Sequence, residues 1–317
     1  MAREKRRQRY SGIGGQAVIE GIMMKNGEDY AVAVRKPNGE IEVKKEKYRA
    51  LPDRYPLLRM PFLRGIFSFA DAMVLGMRCL SYSASFFEDD ADSEPSRLER
   101  WLIGVFGERL EAVLSAVVIA FSFVAALLLF VLLPTLAVNF LSRWIVSESG
   151  RALLEGLLRV LIFVLYIRLI SKAPDIRRTF EYHGAEHKCI NCVEHGLPLT
   201  VENVMASSKE HKRCGTSFLV YVMMISILLF MLLRFDTLWL RLLSRLLLIP
   251  VIAGISYELL RVVGIYDNLL TELLFIPGMW MQGLTTTEPD AEEVAVAIAA
   301  TEAVFDWREY LRKREQE

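Results

Sequence analysis

The chain has 317 residues, is 53% hydrophobic with a mean hydropathy of +0.30, and balances 38 basic residues against 38 acidic ones. The neutral balance argues against a nucleic-acid partner, because the basic excess that phosphate contacts demand is missing. The apolar share carries its information in its distribution.

Residues 1–10 (MAREKRRQRY) form a basic tail suited to an anionic lipid surface. The first 20 residues hold no apolar core, so no cleavable signal peptide is expected. From Gly12 to Tyr48 the pattern is β. GGQAVIEGIMM is apolar, YAVAVRK and EIEVKKE alternate, and Asn26-Gly27 and Asn38-Gly39 are hairpin signals. This predicts a small antiparallel meander of three strands. Leu58 to Phe87 reads as an amphipathic helix on the membrane or against a helix bundle, and Phe87 to Arg97 as an acidic linker. No internal repeat is evident.

Ala112 to Ser142 and Cys214 to Leu233 are free of charge; a helix needs about 20 apolar residues to cross a bilayer. Two further spans, Ala152 to Ser171 and Leu238 to Leu260, carry charges. Glu155 and Arg159 lie four apart and can pair on one helix face. Arg241, Arg245, Glu258 and Arg261 lie mostly near the ends, where long side chains snorkel. Leu269 to Leu284 is interrupted by Pro277-Gly278 and reads as an interfacial or re-entrant segment. Asp290 to Arg314 is expected as a surface helix with a basic end. The fold class is therefore a mainly α membrane protein. It has about four transmembrane helices, a small N-terminal β-meander and amphipathic helices. The organisation is 1–57 tail and meander, 58–110 amphipathic helix and linker, 111–288 transmembrane bundle with a His/Cys loop at 172–216, and 289–317 C-terminal helix.

Lysine and arginine bias sets the orientation. The connections Arg143 to Arg151 and Arg234 to Arg241 hold two basic residues each, whereas Lys172 to Arg213 holds seven. This predicts a multi-pass protein of the inner (plasma) membrane, with both termini and the loop at 172–216 facing the cytoplasm. In that reducing compartment clustered cysteines are ligands or reactive thiols rather than disulfides.

All four histidines and three of the four cysteines fall between His183 and Cys214. Within this window His183-Gly-Ala-Glu186-His187 places two imidazoles one helical turn apart. It has the H-x-x-E-H order in which two histidines bind metal and the glutamate activates water. A third ligand would come from the same window. A competing pattern, Cys189-x-x-Cys192 with His211-x-x-Cys214, has the paired spacing of a closed structural zinc site. Cys214 also precedes a helix, where a thiolate is stabilised. His195 fits neither pattern and reads as a loop residue.

GGQAVIEGIMMK (14–25), YHGAEHK (182–188), LTVENV (199–204), HKRCGTSF (211–218), GISYELLR (254–261) and PGMWMQGLTTTEPD (277–290) occur in this order. Together they resemble the YqhQ-like family, bacterial membrane proteins of unknown function described as predicted metal-dependent enzymes. The resemblance covers nearly the whole chain. It implies a polar site on the cytoplasmic side and supplies no substrate. Matched residue by residue, it points to Gln16, Glu20, His183, Glu186, His187, Cys192, Glu202, His211, Cys214, Tyr257 and Glu258. Cys189 lies outside the pattern, and Lys212 stands where proline is expected. The ligand set it favours is His183, His187, His211 and Cys214, with Cys192, Glu20, Glu202 and Glu258 as possible additional members.

Three functions follow as expectations. The first is a membrane-bound hydrolase using zinc or another divalent transition metal, with Glu186 as general base. The second is a non-catalytic scaffold folded around structural zinc. The third is a channel or transporter, motivated by the intramembrane Glu155, Arg159 and Glu258, which would need a homo-oligomer around a pore. The partner common to all three is the lipid bilayer.

Overall fold

The computed structural model describes residues 9–87, 107, 110–141, 147–233, 237–266 and 268–316. Most of the basic tail and of the acidic linker lies outside the described residues.

The β region makes four strands rather than three: β1 (Ile13–Val18), β2 (Gly21–Asn26), β3 (Asp29–Arg35) and β4 (Ile41–Lys47). They pair antiparallel in the order β1-β2-β3-β4. The expected single strand over GGQAVIEGIMM is divided by a tight turn at Ile19-Glu20. Glu20 takes a positive φ of 47°. At Gly21 a Cβ would lie 2.3 Å from the Ala33 carbonyl oxygen, so only glycine allows the chain to double back there. Gly27 and Gly39 supply the positive φ of the other two turns.

The helices follow as α1 (Leu63–Ala84), α2 (Leu110–Leu127), α3 (Leu133–Leu141), α4 (Glu148–Ile170), α5 (Pro174–Glu194), α6 (Val201–Met205), α7 (Gly215–Leu232), α8 (Leu238–Ile265), α9 (Leu269–Thr285), α10 (Ala291–Val304) and α11 (Trp307–Glu315). A π-helical turn, Leu128–Leu132, joins α2 to α3.

Contacts divide the chain into two compact units. The first comprises Met1–Phe87, Ile167–Ile225 and Ile249–Glu317. Its sheet is covered on both faces, as the strand alternation requires. Val18, Met23, Tyr30, Val32 and Val34 meet Leu75 and Cys79 of α1. Ile22, Met24, Ala31 and Ala33 meet Ala185, Cys189 and Ile190 of α5 and Val294, Ala297 and Ala300 of α10. Alanines on both the sheet and α10 let helix and strands approach closely. The C-terminal segment is thus not one surface helix. An Asp290/Glu293 capping box starts α10, which is buried in this core, and α11 follows as a separate helix.

The second unit comprises Glu88–Tyr166 and Ser226–Leu248. Its described residues surround a buried ionic cluster. Glu155 accepts from Arg245 at 2.6 Å and Arg159 at 3.3 Å. Both guanidinium groups lie over the Phe230 ring, at 5.3 and 5.2 Å. Pro134 has no N–H to give the Phe130 carbonyl, and Arg159 Nε donates to that oxygen at 2.8 Å.

Among the described residues, three helical stretches are long and apolar enough to cross a membrane: Ala116–Leu141, Gly215–Leu232 and Leu242–Ile265. The expected fourth, α4, is helical, but Arg151, Glu155, Arg159 and Arg168 keep it outside that group. α9 continues through Pro277-Gly278 from an Asn268/Thr271 capping box, so the expected interruption is absent.

Candidate metal centre

α5 starts at Pro174, whose fixed φ and missing N–H suit the first turn. From Gly184 to Glu194 every residue is buried. Glu186 and His187 therefore sit inside the first unit and His183, half-buried, stands one turn before His187, with the two imidazole rings 4.5 Å apart. Gly184 explains the spacer in HGAEH. A Cβ there would stand 2.1 Å from the Thr287 carbonyl oxygen, where the extended segment after α9 crosses α5. That segment is held by the Thr287 N–H donating to the Phe180 carbonyl at 2.9 Å. Just before it, the last residue of α9 offers the Thr285 carbonyl to His183 Nδ1 at 2.9 Å.

The other side of α5 holds the loop that carries the thiol. His187 Nδ1 donates to the Lys209 carbonyl at 2.6 Å. Lys188 Nζ donates to the Met205 and Ser207 carbonyls, and Asn191 Nδ2 to those of Ser208 and Glu210. Gln282, fully buried, clamps the His211 backbone in both directions, at 2.9 and 2.8 Å. The loop so fixed ends at Cys214, immediately before α7. The Thr216 N–H donates to Cys214 Sγ at 3.4 Å, as to an N-cap.

Cys214 Sγ lies 3.3 Å from His183 Nε2. Ligand atoms of His183, His187 and Cys214 all fall within 4.8 Å of one another, and this group could hold a metal ion. The donor chemistry fits. Each imidazole spends Nδ1 on a backbone carbonyl, which fixes the ring and leaves Nε2 as the nitrogen that would take a metal in exchange for its proton. Burial pushes the Cys214 thiol up, but the charges of His187 and His183 outweigh it and hold the thiol well below its ordinary value. Burial pulls His183 down; the Cys214 charge and hydrogen bond reverse this and raise it to about 9. The ligand positions are thus already electrostatically paired.

Glu186 is buried beside this group. Burial raises its carboxyl above the usual range, partly offset by the His183 and His187 charges. Its position depends on Gly15, where a Cβ would lie 2.8 Å from Glu186 Cγ. His183, Glu186, His187, His211 and Cys214 all line one cavity of about 830 Å³, with the Gly12–Ala17 stretch opposite.

The remaining sequence-predicted residues are placed elsewhere. His211 is not among the three convergent ligands. Its ring is 5.7 Å from that of His187, and its Nε2 faces Glu194 at 3.5 Å and Arg213 at 3.2 Å. Glu194 is fully buried; burial pushes it up, but the His211 hydrogen bond and the Arg213 charge bring it down to about 2. Cys192 lies in the core against the Pro198 carbonyl at 3.4 Å, and burial raises its thiol to about 11. Cys189 is buried in the same core. The Cys189/Cys192/His211/Cys214 pattern is therefore not brought together, because residues 189 and 192 turn toward the sheet and α10. Glu20 pairs with Arg178. Glu258 pairs with Arg64 at 2.5 Å, and Glu202 is an exposed first-turn residue of α6. Gln16 packs on Gly76, and Tyr257 on Gly65. His195 closes α5, its Nδ1 donating to the Asn191 carbonyl at 2.7 Å.

Sequence reasoning missed Gly15, Lys188, Asn191, Glu194 and Gln282. Gly15, Lys188 and Gln282 lie inside motifs quoted above, but nothing local says what they touch.

The family model described as "Protein of unknown function (DUF1385)" matches residues 60–307. The chain is 39% identical over 288 residues to "Uncharacterized protein YqhQ" of Bacillus subtilis (strain 168), which covers 90% of this chain and 89% of that protein. No solved structure matches. With most of its length matched by the family model and by this relative, the chain belongs to the DUF1385 family, whose function is unknown.

Proposed function

We propose that this protein is a membrane-bound, metal-dependent hydrolase whose site faces the cytoplasm. The observation that carries the reading is the convergence of three donors, His183, His187 and Cys214, beside the buried carboxyl of Glu186 on the wall of a cavity. Three protein ligands leave a position open, as catalytic zinc sites do, whereas structural sites are closed by four. Zinc suits two imidazoles and a thiolate, and when bound it would bring a water pKa to about 7. Glu186 takes the proton from the attacking water and returns it to the leaving group. Its raised affinity for protons suits both halves of that cycle. The Thr285 and Lys209 carbonyls keep both imidazoles in one tautomer. The basic residues between Lys172 and Arg213 support cytoplasmic placement.

The test is metal analysis of protein purified without chelator, paired with Glu186→Gln. The expected result is about one zinc per chain in both proteins, with hydrolytic turnover lost only in the variant. Absence of bound metal in the parent protein refutes the reading. A variant that loses metal and fold together points instead to a scaffold with structural zinc.

A further inference from the structure

The cavity that holds the metal centre is bounded on one side by α1, and the two faces of that helix differ. Ser68, Asp71, Ala72 and Leu75 line the cavity. On the outward face Phe69, Met73, Val74, Met77 and Leu80 are all exposed. Five large apolar side chains at helical spacing on one exposed face mark contact with an apolar phase rather than water.

The attachments of α1 say which phase. Arg64 pairs with Glu258, and the Phe62 N–H donates to the same carboxylate at 3.1 Å. The Phe62 ring fills the notch left by Gly254, and Tyr257 packs on Gly65. Those partners belong to the apolar stretch Leu242–Ile265. Phe69 stacks on Phe218, in the stretch Gly215–Leu232, with centroids 5.3 Å apart. α1 thus lies along two helices that are long and apolar enough to cross a membrane, with its own apolar face exposed beside them.

The cavity reaches the surface at the same level. Ala72 of α1 and Gly215, the first residue of the Gly215–Leu232 stretch, are both exposed and both line it. Cys214 is the adjacent residue, with its Cα about 3.8 Å from that of Gly215. Inside, Ile13, Ala17, Met23, Leu75, Phe180 and Ile190 give the cavity an apolar wall, and its charged lining is mixed: Lys25 and Arg213, the latter paired with Glu194, stand with Asp53, Asp71 and Glu186. A volume of about 830 Å³ is far more than a polar headgroup linkage alone requires.

We infer that the cavity takes a membrane lipid that enters from the bilayer between Ala72 and Gly215. Its acyl chain lies against Leu75, Met23 and Ile13. Its headgroup lies among these mixed charges, and its polar linkage reaches Glu186 and Cys214. The chemistry done on that lipid rests on the hydrolase reading; its binding does not.

The experiment uses the full chain in phosphatidylcholine vesicles in which a fraction of the lipid carries a photoactivatable diazirine on one acyl chain. Adducts are mapped by mass spectrometry, and zinc is measured on the same samples. The expected result is adducts on cavity residues Leu75 and Phe180 as well as on Met73, Val74 and Met77. Ala72→Trp, at an exposed position on the cavity rim, loses the cavity adducts and keeps the outer ones. Val74→Trp, on the outward face, keeps the cavity adducts. Adducts confined to the outer face in the parent protein overturn the inference and leave the cavity to a soluble or peptide substrate. So do cavity adducts that survive Ala72→Trp. Loss of zinc with the cavity adducts intact counts against the hydrolase reading alone.

Discussion

Gly184→Ala tests the architecture of the centre without touching a ligand. The added Cβ would stand 2.1 Å from the Thr287 carbonyl oxygen and 3.3 Å from Pro289 Cδ. The first is backbone, so no side chain can swing aside, and the crossing segment must retreat by roughly 1 Å to reach ordinary contact. Retreat weakens the Thr287–Phe180 hydrogen bond and draws the Thr285 carbonyl away from His183 Nδ1. Overpacking costs about 1–3 kcal/mol and the hydrogen bond about 1 kcal/mol. Alanine returns about 1 kcal/mol of helix propensity. The net expectation is a destabilisation of about 1–3 kcal/mol. Loss of the carbonyl that orients His183 should weaken zinc binding about 10- to 100-fold. Gly283→Ala is the matched control. It also lies in a helix, but a Cβ there meets nothing within 4 Å, so it should be neutral or up to about 1 kcal/mol stabilising. Thermal melts in detergent and a competitive zinc-chelator titration read both quantities. If the two variants melt alike and bind zinc as the parent does, the close crossing at Gly184 does not position the centre.

Two further outcomes follow from buried charge. Glu155→Ala leaves Arg159 and Arg245 facing each other without their shared carboxylate, and should cost about 3–5 kcal/mol. A melt within about 0.5 kcal/mol of the parent, the range of an ordinary surface change, would show that the cluster is not what holds the second unit. Burial raises Glu293 from 4.5 to about 7; the hydrogen bond from the Asp290 N–H opposes the rise, the Asp290 and Glu181 charges add to it, and Arg178 opposes it. A raised folded pKa contributes stability that is complete below pH 4.5 and lost as pH rises through about 7. The contribution is on the order of 3 kcal/mol at most. Glu293→Gln should flatten the stability profile between those pH values, and an unchanged slope by chemical denaturation would rule Glu293 out as its source.

Much of the scaffold was legible in the chain because its signals are local. Uncharged runs disclosed two of the apolar spans, alternation and Asn-Gly pairs disclosed β-structure, and HGAEH disclosed a pair of imidazoles one turn apart. The turn at Glu20-Gly21 was missed because its cause is the Ala33 carbonyl on another strand. α10 was read as a surface helix because small residues resemble an exposed face until the alanines of β3 are packed against them.

The chain by itself determined that its four histidines and three of its cysteines crowd into residues 183–214, and that His183 and His187 share a helix face. Only the tertiary structure decided which of them converge. It brought Cys214 to His183 through a loop held by Lys188, Asn191 and Gln282, turned Cys189 and Cys192 into the core, and set His211 against Glu194 and Arg213. Helical periodicity fixes which residues share a face, whereas what that face meets depends on hydrogen bonds and close contacts between segments far apart in the chain, such as His183 and Thr285.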